Sequence, residues 1–207
     1  MTIINDYCGG IKDGKDFKMI IPGGSSMPPL TKEESLTMKM DAESLKAVGS
    51  AIGTAGIMVM DEDTDIVHVL QRITKFYYHE SCGQCTPCRE GCGWMLKVLD
   101  RIMDGTGRHS DLDLLISVAE NIEGNTICAL GDAAAWPVKW TVRKFRKEFE
   151  SKIKNENIEL PVLNKVHGLR KSDEYVTIDT DENTLVESLI GKVQEITVDE
   201  NLKRYSS

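Results

Sequence analysis

The feature that most constrains this 207-residue chain is a run of cysteines between His79 and Cys92. Cys82, Cys85 and Cys88 are each separated by two residues, so one short loop can place three thiolates around a single inorganic centre. Iron–sulfur clusters are bound by such thiolates, usually four of them. The spacing therefore predicts a cluster site that still needs one ligand.

Two other cysteines are candidates for that ligand. Cys92 completes the local spacing C-x2-C-x2-C-x3-C, whereas Cys128 lies in a separate segment. In bacterial ferredoxins the fourth cysteine of such a run binds the second of two clusters, and a proline follows it. Here Gly93 follows Cys92, and the sequence has no second run. The predicted ligands, which leave Cys8 and Cys92 unligated, are Cys82, Cys85, Cys88 and Cys128.

Two alternative uses of these cysteines remain open. Structural zinc sites usually have paired CxxC or Cys/His knuckles, and three clustered cysteines with one distant partner match that pattern poorly. Disulfides need an oxidising compartment, and the first residues do not have the pattern of a secretory signal. We therefore expect a reducing compartment, in which thiolates bind a metal cluster.

The composition argues against two classes of partner. The formal net charge is −8, whereas a nucleic-acid surface needs a basic stripe. No apolar run approaches the length that spans a bilayer. We expect no nucleic-acid partner and no direct insertion into a membrane.

Before residue 65 the pattern is that of a small α/β module. Phe17–Ile21 and residues 56–60 are predicted strands, because both are short apolar runs next to glycine-rich turns. Residues 42–48 are a predicted helix with Asp41 as its N-cap. The turn at residues 22–26 lacks the spacing of a P-loop, so we expect a structural turn there.

After residue 65 apolar residues recur with helical spacing in four segments. A helix cap is predicted at Ser110, and Pro137 is predicted in the first turn of the fourth helix. In an antiparallel bundle the second and fourth helices start at the same end, which would bring Cys128 to the three-cysteine loop. The predicted stripes are Ile66, Val69, Leu70, Ile73 and Phe76; Met95, Leu99, Ile102 and Met103; Leu112, Leu115, Ile116, Ala119 and Ile122; Val138, Val142, Phe145, Phe149 and Ile153.

Some charged residues near the predicted site have two interpretations each. Arg89 either favours the reduced cluster or is a solvated side chain. The basic face of the fourth helix either faces solvent or binds an acidic subunit; it comprises Lys139, Arg143, Lys144, Arg146 and Lys147.

Taken together, these motifs resemble the NADH-binding flavoprotein subunit of respiratory complex I. The resemblance covers about residues 3–154. It departs from the family at Cys92, where a non-ligand residue is expected. The segments that carry it are HESCGQCTPCREG at 79–91 with Trp94 and Met95, IEGNTICALGDAAAWP at 122–137, IPGGSS at 21–26, GTA at 53–55 and VMD at 59–61.

The resemblance implies an α+β fold in three parts. Residues 1–64 are expected to form a ubiquitin-like β-grasp (SLBB) module, incomplete at its N-terminus. Residues 65–154 are expected to form an antiparallel four-helix bundle that binds one 4Fe-4S cluster through Cys82, Cys85, Cys88 and Cys128. Residues 155–207 match nothing in that family and stay unassigned.

By the same resemblance, the cluster receives electrons from FMN and passes them toward clusters of the large iron–sulfur subunit. The other expected partners are a two-iron thioredoxin-like subunit and the FMN/NADH-binding portion of the same subunit. In the family that portion precedes the β-grasp module, and its glycine-rich loop is missing here. We therefore expect the C-terminal part of the subunit, from a split gene, a fragment or an internal start, which does not oxidise NADH alone.

The expected location is the peripheral arm on the cytoplasmic side of the bacterial inner membrane. The mitochondrial matrix side is the second choice.

Two alternative functions compete with the complex I relay. One is the same module in a soluble NAD-linked hydrogenase or formate dehydrogenase. The other, from a different class, is a non-redox assembly module or a zinc-bound structural remnant.

Overall fold

The computed structural model describes residues 2–154, in which a small sheet precedes a set of helices. The strands are β1 (Phe17–Ile21), β2 (Leu30–Thr31) and β3 (Met58–Asp61). The helices are α1 (Lys32–Thr37), α2 (Ala42–Ala47), α3 (Ile66–Glu80), α4 (Thr86–Met103), α5 (His109–Ile122), α6 (Leu130–Lys144) and α7 (Arg146–Lys152). Two short helical turns, Ile3–Tyr7 and Lys12–Gly14, precede the sheet. The unassigned segment 155–207 lies outside the described residues.

The sheet has the strand order β2-β1-β3, and both pairs are antiparallel. Its centre is β1, in which Ile20 pairs with Leu30 on one side and Val59 on the other. The strand predicted at Phe17–Ile21 is confirmed. The second predicted strand starts two residues late, at Met58, and is only partly buried. A small sheet with helices agrees with the expected α+β class.

The turn at residues 22–26 packs against the loop at residues 51–56. Gly24 N–H donates to the Gly56 carbonyl at 2.8 Å, and Thr54 N–H donates to the Gly23 carbonyl at 3.0 Å. A Cβ atom on Gly23 would lie 2.5 Å from the Ala51 carbonyl oxygen, so this approach requires glycine. These contacts give the turn a structural role.

Side-chain caps define the two short helices beside the sheet. The Asp41 carboxylate accepts the Ser44 N–H at 2.7 Å, as predicted for α2. Helix α1 was not predicted, although Thr31 and Glu34 have the spacing of a capping box. The Glu34 N–H donates to Thr31 Oγ1 at 3.3 Å, and Glu34 Oε2 accepts the Thr31 N–H at 2.9 Å.

Four long helices pack around the larger apolar core. Helix α3 contacts α4 and α6, and α5 also contacts α4 and α6. The predicted stripes lie mostly in this core, but Phe76 is 52% exposed and the adjacent Tyr77 is buried instead. The largest core side chains with essentially no exposure include Leu70, Met95, Leu99, Ile102, Leu112, Leu115 and Phe149.

Three predicted details of the helices are wrong. Pro137 lies in the middle of α6, not in its first turn, because the helix already begins at Leu130. Helix α5 begins at His109, so Ser110 is not its cap; the Arg108 N–H donates to the Asp111 carboxylate instead. The fourth stripe is divided at Phe145, where the backbone leaves the helical conformation between α6 and α7.

No helix within residues 2–154 has the length and apolar character needed to cross a membrane.

Candidate functional site

Two segments carry the predicted ligands, and the first comprises residues 81–88 (the first cysteine segment). Cys85 is the N-cap of α4, and Cys88 lies in its first turn. Cys82 is exposed, Cys85 is half-buried and Cys88 is buried. The start of a helix has backbone N–H groups without partners in the helix and the positive end of its dipole. The start of α4 therefore favours negative charge on the sulfurs of Cys85 and Cys88.

The second cysteine segment, residues 123–129, joins α5 to α6 and contains the exposed Cys128. Its backbone contacts the first segment directly, because the Ile127 N–H donates to Cys85 Sγ at 3.3 Å. The residue that precedes Cys128 is therefore in contact with a predicted ligand far away in sequence. Such a backbone donor also stabilises a thiolate.

Within the described part of the chain, no three His, Cys, Asp or Glu side chains converge in a group suited to one metal ion. A 4Fe-4S cluster is bound by four thiolates that surround an object larger than one ion. The two adjoining segments, with the Ile127 N–H directed at Cys85 Sγ, are compatible with that kind of ligation.

One carboxylate and one hydroxyl hold the second cysteine segment, near its start and next to Cys128 respectively. The Asp132 carboxylate, in the first turn of α6, accepts the Gly124 N–H at 2.8 Å. The Thr126 hydroxyl donates to the Cys128 carbonyl at 2.9 Å. The Asp132 contact thus links the first turn of α6 to the start of this segment.

Glu123 attaches the same segment to the side of α6. Its carboxylate accepts from Trp136 Nε1 at 2.7 Å and forms an ion pair with Lys139. The hydrogen bond from Lys139, followed by that from Trp136, holds the pKa of Glu123 below its ordinary value, although partial burial opposes this shift. Glu123 is therefore ionised near neutral pH and anchors the segment electrostatically.

Gly131 lets the second cysteine segment lie close to α6. A Cβ atom at this position would lie 2.3 Å from Thr126 Oγ1 and 2.6 Å from Thr126 Cγ2. Any larger residue would have to push Thr126, and with it the backbone before Cys128, away from the helix.

Fewer side chains hold the first cysteine segment. Gly83 has a φ of +79°, a conformation that glycine adopts without strain, and its carbonyl accepts from Arg89 Nη1 at 2.9 Å. Arg89 also donates to Glu90 at 2.8 Å, so the two charges compensate each other. The Ser81 hydroxyl lies 3.2 Å from Cys88 Sγ.

Cys92 lies one helical turn after Cys88 and is fully buried in the apolar core. Burial, with a smaller contribution from the neighbouring Cys88, raises the pKa of the Cys92 thiol to about 12. Cys8 is exposed in the N-terminal turn region. His79, which the sequence places beside the site, is 85% exposed at its side chain and contacts Glu80 at 3.0 Å.

Most of the basic face of α6 and α7 pairs with acidic residues of the same chain. Lys139 pairs with Glu123, as described above. The other pairs, at 2.6–2.8 Å, are Arg143 with Glu120, Lys144 with Glu34, and Arg146 with Asp113. Four of the five basic residues predicted on this face thus have acidic partners within the described chain.

Three residues that shape the site were not among the predicted site residues: Ser81, Glu123 and Asp132. Their positions in the sequence are a weak signal, because Ser81 directly precedes Cys82, and Glu123 and Asp132 flank Cys128. Their contacts cross between helices, however, and no local pattern predicts such contacts.

Comparison with known proteins gives three consistent similarities. Residues 68–152 match the family described as NADH-ubiquinone oxidoreductase-F iron-sulfur binding region. The corresponding NADH-quinone oxidoreductase subunit of Rickettsia bellii is 55% identical over 152 residues, which are 73% of this chain and 36% of that protein. The Rickettsia akari subunit of the same name is 53% identical over 157 residues, 75% of this chain and 37% of its own length.

Among solved structures, an NAD+-reducing NiFe hydrogenase in the H2-reduced state is similar with a TM-score of 0.59 and 25% identity. The similarity covers 73% of this chain and 26% of the hydrogenase chain. The matched part of this chain thus spans little more than a third of the Rickettsia relatives and about a quarter of the hydrogenase chain.

Proposed function

We infer that this chain, which over residues 68–152 belongs to the NADH-ubiquinone oxidoreductase-F iron–sulfur-binding family, relays single electrons through one 4Fe-4S cluster within an NADH:quinone oxidoreductase. The observation that carries this inference is the 3.3 Å hydrogen bond from the Ile127 N–H to Cys85 Sγ. It joins the two segments that contain the cysteines, and the helix starts beside them favour anionic sulfur.

The proposed ligands are Cys82, Cys85, Cys88 and Cys128. Cys92 is the weaker candidate because its side chain is fully buried one helical turn beyond Cys88, whereas Cys85 accepts the Ile127 N–H from the segment that contains Cys128. A bound cluster supplies reversible one-electron transfer. The protein contributes the thiolates, the backbone donor at Ile127, and the Asp132 and Glu123 contacts that hold the segment before Cys128.

We propose that NADH and FMN bind to a part of the enzyme that corresponds to the unaligned portion of the Rickettsia relatives. In this proposal the cluster accepts electrons from FMN and passes them to clusters of a large iron–sulfur subunit, with a two-iron thioredoxin-like subunit alongside. The assembly would lie in a peripheral arm on the cytoplasmic side of the bacterial inner membrane. The similarity to the Rickettsia proteins over most of this chain supports this arrangement.

The domain division is part of the same proposal. Residues 1–64 would be an SLBB-type β-grasp module, and residues 65–154 a four-helix cluster-binding domain. The three-stranded antiparallel sheet and the mutual packing of α3, α4, α5 and α6 support it.

A second candidate function is the same relay in an NAD+-reducing hydrogenase. The structural similarity to such a hydrogenase favours it, whereas the higher identity to quinone-reducing relatives favours the first. Purification of the native assembly decides between them, since only the hydrogenase contains a nickel-dependent H2-oxidising partner.

The direct test is anaerobic reconstitution of the chain with iron and sulfide, followed by metal analysis and EPR of the reduced protein. We expect iron and acid-labile sulfide in equal amounts, and a signal from one reduced 4Fe-4S cluster. Zinc without sulfide would contradict the relay function and favour the structural remnant. We also expect no NADH-dependent ferricyanide reduction by the chain alone; such activity would contradict the proposed division of function.

A further inference from the structure

Ser81 connects the end of α3 to the first cysteine segment, and its side chain faces a predicted ligand. Its backbone N–H donates to the Tyr77 carbonyl at 3.1 Å. Its hydroxyl oxygen lies 3.2 Å from Cys88 Sγ and accepts the Gly83 N–H at 3.4 Å. Backbone contacts on both sides therefore fix the hydroxyl next to the sulfur.

These contacts determine the direction of the hydrogen bond. A serine hydroxyl has one proton and two acceptor lone pairs. The Gly83 N–H uses one lone pair, which leaves the proton available for Cys88. A cysteine that binds iron is a thiolate, and a thiolate accepts hydrogen bonds but cannot donate them. With a cluster bound, the bond therefore runs from the Ser81 hydroxyl to the Cys88 sulfur.

We propose that Ser81 is a positioning residue that donates this O–H···S hydrogen bond to Cys88 and thereby raises the reduction potential of the cluster, an inference that rests on the proposed function. Reduction adds negative charge, part of which lies on the cysteine sulfurs. A donor to sulfur therefore stabilises the reduced form more than the oxidised form. The adjacent Cys92 does not replace it, because a thiol is a weak donor.

The test compares the midpoint potentials of wild type, Ser81→Ala and Ser81→Thr in EPR-monitored redox titrations of the reconstituted protein. Ser81→Ala lowers the potential, with a change of roughly tenfold in the reduced-to-oxidised ratio at fixed potential, or about 59 mV for one electron. Ser81→Thr keeps the hydroxyl and suits the extended backbone at this position (φ −64°, ψ 121°), so its potential stays near that of wild type.

A matched control uses a serine far from the cysteines. The Ser151 hydroxyl donates to the Glu148 carbonyl at 2.7 Å at an exposed position of α7. Ser151→Ala removes a serine hydroxyl of the same kind and leaves the potential unchanged.

Resonance Raman spectra in H2O and D2O provide a second test of the Ser81 hydrogen bond. Deuteration shifts the iron–cysteine stretching bands of wild type more than those of Ser81→Ala, which lacks the exchangeable hydroxyl proton.

Three results would overturn the inference while leaving the relay function intact. The first is an unchanged potential in a Ser81→Ala protein that keeps its cluster, and the second is an equal shift in Ser81→Thr. The third is loss of the cluster from a folded Ser81→Ala protein, because the hydroxyl would then hold the segment rather than tune the cluster. A wild-type chain that takes up no iron and sulfide would instead refute the proposed function, and this inference with it.

Discussion

The two cysteine segments are held in place by different means. The first cysteine segment runs straight into α4, so the helix itself orients Cys85 and Cys88. The second precedes α6 as an open connection, and contacts with α6 fix it: Asp132 of that helix accepts the Gly124 N–H, and Glu123 of the segment accepts from Trp136 Nε1. The contrast shows that a dense local motif needs little tertiary support, whereas a single remote ligand depends on it. Substitutions that displace a cysteine segment should therefore reduce cluster content more in the second segment than in the first.

The largest expected effect comes from removing the remote ligand itself. Cys128→Ala should abolish the 4Fe-4S cluster, since three cysteines remain for a site that needs four. Iron and sulfide analysis with EPR after anaerobic reconstitution measures this loss.

Cys92→Ala is the matched control for that substitution. It removes a buried sulfur from the core and should cost about 1 kcal/mol of stability while leaving the cluster in place. The opposite pattern, with Cys128 dispensable and Cys92 required, would mean that the local spacing supplies the fourth ligand and that the second segment has no role in binding.

Gly131→Ala should have the next largest effect, because the new Cβ would meet Thr126 Oγ1 at 2.3 Å. We expect a loss of about 1–3 kcal/mol in the free energy of unfolding and a lower cluster content, as the segment before Cys128 is displaced. Gly93→Ala is the matched control in α4. Its Cβ would lie 3.1 Å from the half-exposed Tyr78 ring, which can move.

Alanine also favours helix over glycine, so Gly93→Ala should stay within about 0.5 kcal/mol of wild type. Urea denaturation and iron content measure both variants. Equal effects at the two glycines would remove the distinction between the two segments.

Glu123→Gln should produce a smaller, pH-dependent effect. Because the Lys139 and Trp136 contacts lower the pKa of Glu123, its stabilisation is present above the unfolded pKa and is lost as the pH falls through the folded value. The variant should lose about 1 kcal/mol at neutral pH, given its partial exposure. Its urea midpoint should also fall less steeply than that of wild type below the ordinary pKa of 4.5. Parallel pH profiles would show that the charge of Glu123 does not hold the segment.

The sequence predicts the locally encoded parts of this molecule well. The strand at Phe17–Ile21, the Asp41 cap and most of the helical stripes follow from short-range patterns, and the structure confirms them. The errors concern where helices begin. Pro137 is typical of a helix start, but α6 begins seven residues earlier, at Leu130, so that Pro137 lies inside the helix. The contacts of Ser81 and Glu123 link groups that only the folded chain brings together.

The smallest expected effect concerns Arg89 and Glu90, the charge pair beside the first segment. Arg89 also bonds to the Gly83 carbonyl, but its side chain is 47% exposed, so its loss should change stability by less than about 0.5 kcal/mol. If α4 itself orients the cysteines, Arg89→Ala should keep its cluster. Its potential should shift slightly downward, because a compensated positive charge has been removed.

Glu90→Gln should shift the potential slightly upward, since it leaves Arg89 uncompensated. The double variant should return near wild type, because the two charges act on the same cluster with opposite signs. Redox titrations at low salt measure these shifts, and added salt should reduce them. Loss of the cluster in Arg89→Ala, at a cost comparable to that of Gly131→Ala, would show that a side chain rather than the helix holds the first segment as well.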